Sequence, residues 1–370
     1  MGLGNSRPSR ATRGVRMTDV RPSHRPLQIG ILGCANVAKQ FARDVAGSPA
    51  VRIVAVASRN AGTAKTFAAA FGIGRHHGSY EALLSDAAID AIYLPLPNSL
   101  HAEWAIKALA SGKHVLCEKP LALGLAQAQA MFDAANAHHV MLLEAYPYYF
   151  QPQTAAMLAL LHEGAIGDVR SVQASFGFTV GNPRSNIRMN ADLGGGALLD
   201  AGSYPLSLIR LVMGCAPQRV LAHAGWADSG VDLRMMATLT YADGRRAQMS
   251  CAMDVANHRR AMIVGSNGAI ETEFLNHTSA QAGGHPWGYL PSQLRVRRGI
   301  ANTIPFETIG AGTGSGFRFA AEAFAKVVAA RDFAAIGRAA EASLDIAATL
   351  EALARSARVG QAVELPTRAG

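Results

Sequence analysis

The sequence predicts an α/β chain of two units: an N-terminal parallel sheet with helices on both faces, then an α+β unit on a mostly antiparallel open sheet. Three observations carry this. Between residues 27 and 145 short apolar runs alternate with segments of helical spacing. A glycine-bearing turn joins the first run to the first helical segment at Gly33. Between residues 169 and 274 apolar runs succeed one another with turn signals, and only residues 197–213 interrupt them as a helix. A chain of 370 residues also exceeds one ordinary core.

In chain order, residues 27–33 form a buried-strand pattern, and residues 37–45 have helical spacing with Asn36 as the expected N-cap. Residues 51–57 read as the second strand. A short helix at 80–85, a strand at 91–95, a helix at 99–111 closed by Gly112, and a strand at 114–117 continue the alternation. A helix at 126–137 and a strand at 140–145 complete the first unit, set at residues 27–147. The second unit, residues 148–366, begins with a helix at 152–162 and a strand at 169–179. After a loop at 181–190 and the triple glycine 194–196 come the helix at 197–213 and strands at 220–226, 233–241, 246–253, 261–264 and 269–274. Residues 276–316 read as irregular, and two alanine-rich helices, 316–330 and 338–357, finish the chain, the last free to pack back on the first unit.

The turn Gly33-Cys34-Ala35-Asn36-Val37-Ala38 has the frame of a dinucleotide fingerprint, with Ala35 at the second glycine position. In that frame Gly33 makes the turn, while Ala35, Asn36 and Val37 open the helix whose N-terminus receives pyrophosphate. The second strand ends in Ser58-Arg59 rather than in the carboxylate that would hold a ribose diol. A hydroxyl followed by a guanidinium suits a 2′-phosphate, which predicts NADP, with NAD as the alternative. Ligands of such sheets bind at the carboxyl ends of the strands, where Pro97, Asn98, Glu118 and Lys119 also fall.

Asp200 and Tyr204 stand four residues apart on the helix after the triple glycine and so share a face. A phenol is a poor acid or base at neutral pH unless a nearby cation favours its phenolate, and Lys119 is the candidate cation. Hydride transfer to a carbonyl requires a proton donor beside the oxygen, and the reverse requires a base. Lys119, Asp200 and Tyr204 meet that need without a metal.

Four motifs together resemble the Gfo/Idh/MocA family of NAD(P)-dependent oxidoreductases, from about residue 27 to 363. They are the Gly33 turn, Leu94-Pro95-Leu96-Pro97-Asn98 with His101, Glu118-Lys119-Pro120, and the run from Gly194 through Asp200 to Tyr204. The resemblance implies an N-terminal Rossmann domain, catalytic Lys119 and Tyr204, a substrate-orienting Asp200, and a cis peptide before Pro120. It also implies His101 at the cofactor and a homodimer formed through the second-domain sheet. Within the family, Tyr204 resembles the branch of dihydrodiol dehydrogenases, xylose dehydrogenases and glucose-fructose oxidoreductase. That branch often carries an arginine or histidine pair where this chain has Tyr148-Tyr149-Phe150-Gln151, so Tyr149 is assigned to an aromatic pocket wall. Arg188 is the second pocket cation.

The expected function is transfer of hydride between NADP(H) and a carbinol or carbonyl carbon of a sugar-like or cyclic diol substrate. The alternatives are a tightly held cofactor used for internal redox and a non-catalytic nucleotide sensor. Composition narrows the rest. The net charge of +9 is concentrated in residues 1–26, where six arginines and one aspartate give +5. This segment reads as a disordered basic leader, with Met17 as an alternative start. Aromatic and basic residues do not interleave, so no nucleic-acid surface is expected. No apolar run spans a bilayer. Four separated cysteines imply neither disulfides nor zinc, and the chain reads as cytoplasmic. Adjacent histidines such as His76-His77 and His138-His139 point apart on a helix or loop and no carboxylate pattern accompanies them in the sequence, so no metal site is expected.

Overall fold

The structure, a computed structural model, describes residues 25–281, 285 and 288–366. All of the leader up to residue 24, including Met17, lies outside the described residues. The N-terminal half runs β1 (Leu27–Leu32), α1 (Asn36–Val45), β2 (Val51–Ala57), α2 (Ala61–Phe71), β3 (Arg75–His77), α3 (Tyr80–Leu84), β4 (Ala91–Leu94), α4 (His101–Ala110), β5 (His114–Glu118), α5 (Leu125–Ala137) and β6 (Leu142–Ala145). The six strands form one parallel sheet in the order β3-β2-β1-β4-β5-β6. Their carboxyl ends therefore meet at one edge, which fixes where a ligand sits.

Two elements here differ from expectation. Helix α2 is capped by Asn60, whose Oδ1 accepts from Thr63 N at 3.0 Å; it buries only Ala64, Phe67 and Ala68, so its apolar stripe is faint. Strand β3 is a three-residue edge, Arg-His-His, with no apolar alternation to read. Asn36 is the first residue of α1 rather than its cap, and Ala35 occupies the cap without a side-chain bond.

The second half runs α6 (Pro152–His162), β7 (Val169–Thr179), a π-turn (Leu198–Gly202) leading into α7 (Ser203–Met213), β8 (Arg219–Trp226), β9 (Asp232–Thr240), β10 (Arg246–Ala252), β11 (Asp254–Gly265) and β12 (Gly268–Thr272). Then follow β13 (His277–Thr278), β14 (Gln293–Arg298), β15 (Glu307–Gly310), β16 (Gly314–Ser315), α8 (Gly316–Ala330), α9 (Phe333–Val359) and β17 (Val363–Glu364). Nine strands form a sheet in the order β15-β14-β12-β11-β7-β10-β9-β8-β17. It is antiparallel except where β10 pairs parallel with β7. The stretch expected to be irregular thus supplies β14 and β15, and β14 alternates buried Leu294 and Val296 with arginines.

One face of this sheet packs on α6, α7 and α9 through residues such as Val172, Leu239, Leu208 and Leu353. Its other face is open, with Met236 70% exposed. Helix α8 crosses to the parallel sheet, where Phe317 and Phe324 pack with Phe41 and Ile31. Each fully buried phenylalanine contributes roughly 2–3 kcal/mol to folding. No helix among the described residues is long and apolar enough to cross a membrane.

The triple glycine positions the π-turn. Gly194 and Gly196 have φ of +73° and +109°, in the left-handed region. A Cβ on Gly195 would run into the Arg188 carbonyl, and one on Gly196 into Asp232 Oδ1. Asp232 in turn caps the turn from β9, its Oδ2 accepting from Leu198 N at 2.6 Å.

Candidate active site

A cleft of about 1100 Å³ separates the carboxyl edge of the parallel sheet from the second sheet. Ala35, Val37, Pro97, Asn98, Glu118 and Lys119 line it from the first side. Phe176, Phe178, Arg188, Asp200, Tyr204, Arg259 and Asn276 line it from the second. Asn98 joins the two, donating through Nδ2 to the Gly194 carbonyl at 2.8 Å.

Gly33 has φ +116°, and a Cβ there would meet Leu96 at 2.9 Å, so only glycine makes this turn. It aims the uncapped first turn of α1 at the cleft, and Ala35 keeps the approach narrow but open. A helix N-terminus with free N–H groups open to a cleft has the geometry and charge to receive an anion. Ser58 and Arg59 follow β2 directly, beside this turn. Ser58 N bonds the His77 carbonyl, Arg59 is exposed, and the Tyr80 hydroxyl bridges the space between Arg59 and the turn at Gly33.

At the centre, Lys119 Nζ donates to the Asp200 carbonyl at 2.8 Å and to Asp200 Oδ1 at 3.1 Å. The same carbonyl accepts from Ser203 Oγ at 3.4 Å. Arg188 Nε donates to Asp200 Oδ2 at 2.5 Å. Lys119 Nζ also lies 4.7 Å from the centre of the Tyr204 ring. The three residues assigned from sequence are therefore one cluster, with Arg188 a fourth member.

Burial works against each charge, yet the partners prevail. Asp200 and its neighbours hold the Lys119 ammonium above the usual lysine range, and Lys119 with Arg188 holds the Asp200 carboxyl below the usual carboxylate range. Glu118 is raised by burial and accepts from the Tyr93 hydroxyl at 2.6 Å. Behind the cluster burial raises Glu144 to about 7, while its Oε1 accepts from Leu121 N at 2.8 Å. The Lys119–Pro120 peptide is cis.

Two assignments are corrected. His101 is 0% exposed; its ring nitrogens lie 2.9 Å from the carbonyls of Pro120 and Leu96. It ties together the two loops that carry Lys119 and Asn98 and does not face the cleft. Tyr149 points into the core, donating to the Ser207 carbonyl at 2.9 Å. Gln151 is buried as well, bonding the carbonyls of Asn276 and Gly314. The aromatic wall is made instead by Phe176 and Phe178, whose spacing of two on β7 was a readable sign of a shared face. Arg259 and Asn276 were missed. Arg259 follows a bulge in β11, where pairing with β7 skips from Asp254 to His258, and Asn276 lies in the stretch read as irregular.

A parallel dinucleotide sheet, an open second sheet and a lysine–aspartate–tyrosine cluster between them define a nicotinamide-dependent oxidoreductase. The chain belongs to the Gfo/Idh/MocA family. Residues 27–146 match its "Oxidoreductase family, NAD-binding Rossmann fold" and residues 154–271 its "GFO/IDH/MocA C-terminal domain". It is similar to a D-xylose 1-dehydrogenase (NADP(+)) of Haloferax volcanii, 33% identical over 340 residues, covering 92% of this chain and all of the relative. A trans-1,2-dihydrobenzene-1,2-diol dehydrogenase of Xenopus tropicalis is 36% identical over 246 residues, 65% of this chain and 74% of its own. Among solved structures, KijD10, a 3-ketoreductase from Actinomadura kijaniata in complex with NADP and TDP-benzene, superposes with a TM-score of 0.78. It is 32% identical, over 90% of this chain and 98% of that one. The protein is an enzyme of hydride-transfer class, and its relatives act on sugar or diol hydroxyl and carbonyl groups.

Proposed function

We propose that the protein is an NADP(H)-dependent oxidoreductase acting on a carbinol or carbonyl carbon of a sugar-like or cyclic diol substrate. The observation that carries it is the convergence of Lys119, Asp200 and Tyr204 in one cleft with the Gly33 turn. Gly33, Ala35, Asn36 and Val37 would hold the pyrophosphate, Ser58 and Arg59 the 2′-phosphate, and Pro97, Asn98 and Glu118 the nicotinamide end. Bound there, the nicotinamide supplies or accepts hydride.

The protein's own groups manage the proton and the charge. Lys119 has three N–H donors and spends two on Asp200, which leaves one for the substrate oxygen. Tyr204 gives the proton in reduction and takes it in oxidation. Asp200 and Arg188 present a carboxylate and a guanidinium to neighbouring hydroxyls. Phe176 and Phe178 offer flat faces on which the C–H surface of a sugar or a cyclic diol packs. A panel of aldoses, ketoses and cyclic diols, followed by absorbance with NADP and NAD in parallel, tests this. Turnover of at least one with NADP is expected; co-purifying nucleotide with no net change in NADPH would point to internal redox instead.

We also propose that the open sheet face pairs with a second copy. It carries Met236, 70% exposed, and Leu221, 37% exposed, around a shallow hollow of about 750 Å³. Met236→Lys should convert a sedimenting dimer to monomer while leaving the fold intact; a wild-type monomer would refute the pairing.

A further inference from the structure

The Tyr204 hydroxyl meets protein groups that give hydrogen bonds and cannot accept them. Asn276 Nδ2 donates to it at 2.9 Å. The Arg259 guanidinium lies 4.4 Å from the ring centre and in bonding reach of the hydroxyl. Lys119 is the third donor nearby. The orientation of the Asn276 amide is itself determined. Arg259 NH1 stands 3.2 Å from Oδ1, and a guanidinium has no acceptor to offer, so the amide NH₂ must face Tyr204.

Both supporting groups are immobilised. The Asn276 carbonyl takes Gln151 Nε2 at 2.7 Å and Gly316 N at 2.8 Å. Arg259 stacks 4.0 Å from the centre of the Phe176 ring and donates to the Phe274 carbonyl at 3.3 Å. Burial pushes the Arg259 guanidinium below the usual arginine range, Tyr204, Tyr148 and Asp200 oppose that, and the group stays charged near neutral pH.

We propose that Arg259 and Asn276 are positioning residues that aim the Tyr204 O–H into the cleft and stabilise the phenolate left when its proton departs. The proposal rests on the reading of Tyr204 as the acid–base group. Because its neighbours are donors, the phenol proton has its acceptor in the cleft, at the substrate oxygen. In reduction the carbonyl carbon receives hydride from the reduced nicotinamide, and the carbonyl π pair forms the new O–H bond to the Tyr204 proton. The electron pair of the broken phenolic O–H stays on Tyr204, where the Asn276 N–H and the two cations face it. Oxidation runs the same transfers backwards.

The ionisable groups facing Tyr204 are Lys119 from the end of β5, Asp200 from the π-turn, Arg259 from β11, Tyr93 from β4, and Tyr146 and Tyr148 from the segment after β6. Without Arg259 the set holds one cation against one carboxylate, and the charge left on Tyr204 when its proton departs loses one of the two cations that face it.

Arg259→Met should lower kcat for oxidation roughly 10²-fold. Substrate KM, and NADPH binding read from nicotinamide fluorescence, should stay within about 3-fold. Arg259→Lys should restore part of the lost kcat. Asn276→Asp replaces a donor with an acceptor that captures the Tyr204 proton, and should lower kcat with the same small effect on KM. If Arg259→Met fails to fold, as judged by circular dichroism, the other two variants decide. An unchanged kcat in the folded variants overturns the proposal, as does a loss confined to KM. Tyr204→Phe, measured alongside, separates the levels: full turnover there removes the acid–base reading itself, whereas a dead Tyr204→Phe with normal Arg259 and Asn276 variants removes only this inference.

Discussion

Lys119→Met should reduce kcat by about 10³-fold while the dissociation constant for NADP stays within about 3-fold. Among the described residues the ammonium is the one cation bonded to Asp200 that also lies against the Tyr204 ring, at 4.7 Å. It has a donor to spare for the substrate oxygen, so its loss is felt where charge changes during the reaction and not where the dinucleotide is held. Methionine keeps the length and apolar stem, and Asp200 retains Arg188 as a partner. The folded state nevertheless loses a coupled pair.

The Asp200 pKa is depressed by folding, so its stabilisation is present above the unfolded carboxylate value and fades as pH falls through the folded one. The Lys119 pKa is raised, so its share is complete below the unfolded lysine value and fades as pH rises through the folded one. Between these limits both contributions stand, and the wild-type excess in melting temperature over Lys119→Met should therefore be flat near neutral pH. Full activity of Lys119→Met, or loss of NADP binding with kcat intact, would contradict the role assigned to it.

The parts of this architecture written in local pattern were legible. Buried strands β1, β2, β4 and β5 are short apolar runs, and the carboxyl edge of a parallel sheet follows from their alternation with helices, so Gly33, Asn98 and Lys119 could be brought together without coordinates. Asp200 and Tyr204 were legible because four residues along a helix share a face, although a π-turn lies under the first of them. What escaped depends on long-range packing. Nothing in the composition of the Tyr149 neighbourhood says which way its ring turns; that is decided by Ser207, 58 residues away. His101 belongs to a family motif, yet its partners are the carbonyls of Leu96 and Pro120, and only the folded loops show that it serves them. Arg259 reaches the site past a bulge in β11, where the four-residue step from Asp254 to His258 faces the two-residue step from Thr179 to Gly177, and the strand pattern alone does not show where such extra residues fall.

Cofactor choice gives the second large effect. Arg59→Ala should weaken NADP binding by roughly 10- to 100-fold and leave NAD binding nearly unchanged. Arg59 is exposed just after β2, and Tyr80 places its neighbourhood next to the Gly33 turn, where the proposed nucleotide would present its ribose 2′-phosphate. Ser58 precedes it where a carboxylate would repel that phosphate. Solvent exposure also makes the contact screenable, so the NADP advantage should shrink as ionic strength rises from 0.01 M to 1 M, through Debye lengths of about 30 Å to 3 Å. The Gly33 cradle serves both nucleotides equally and should show no such discrimination. Fluorescence titration of NADPH and NADH against wild type and Arg59→Ala, at low and high salt, measures each part. A wild type that prefers NAD, or an Arg59→Ala variant with undiminished affinity for NADP, would show that Ser58 and Arg59 do not read the 2′-phosphate.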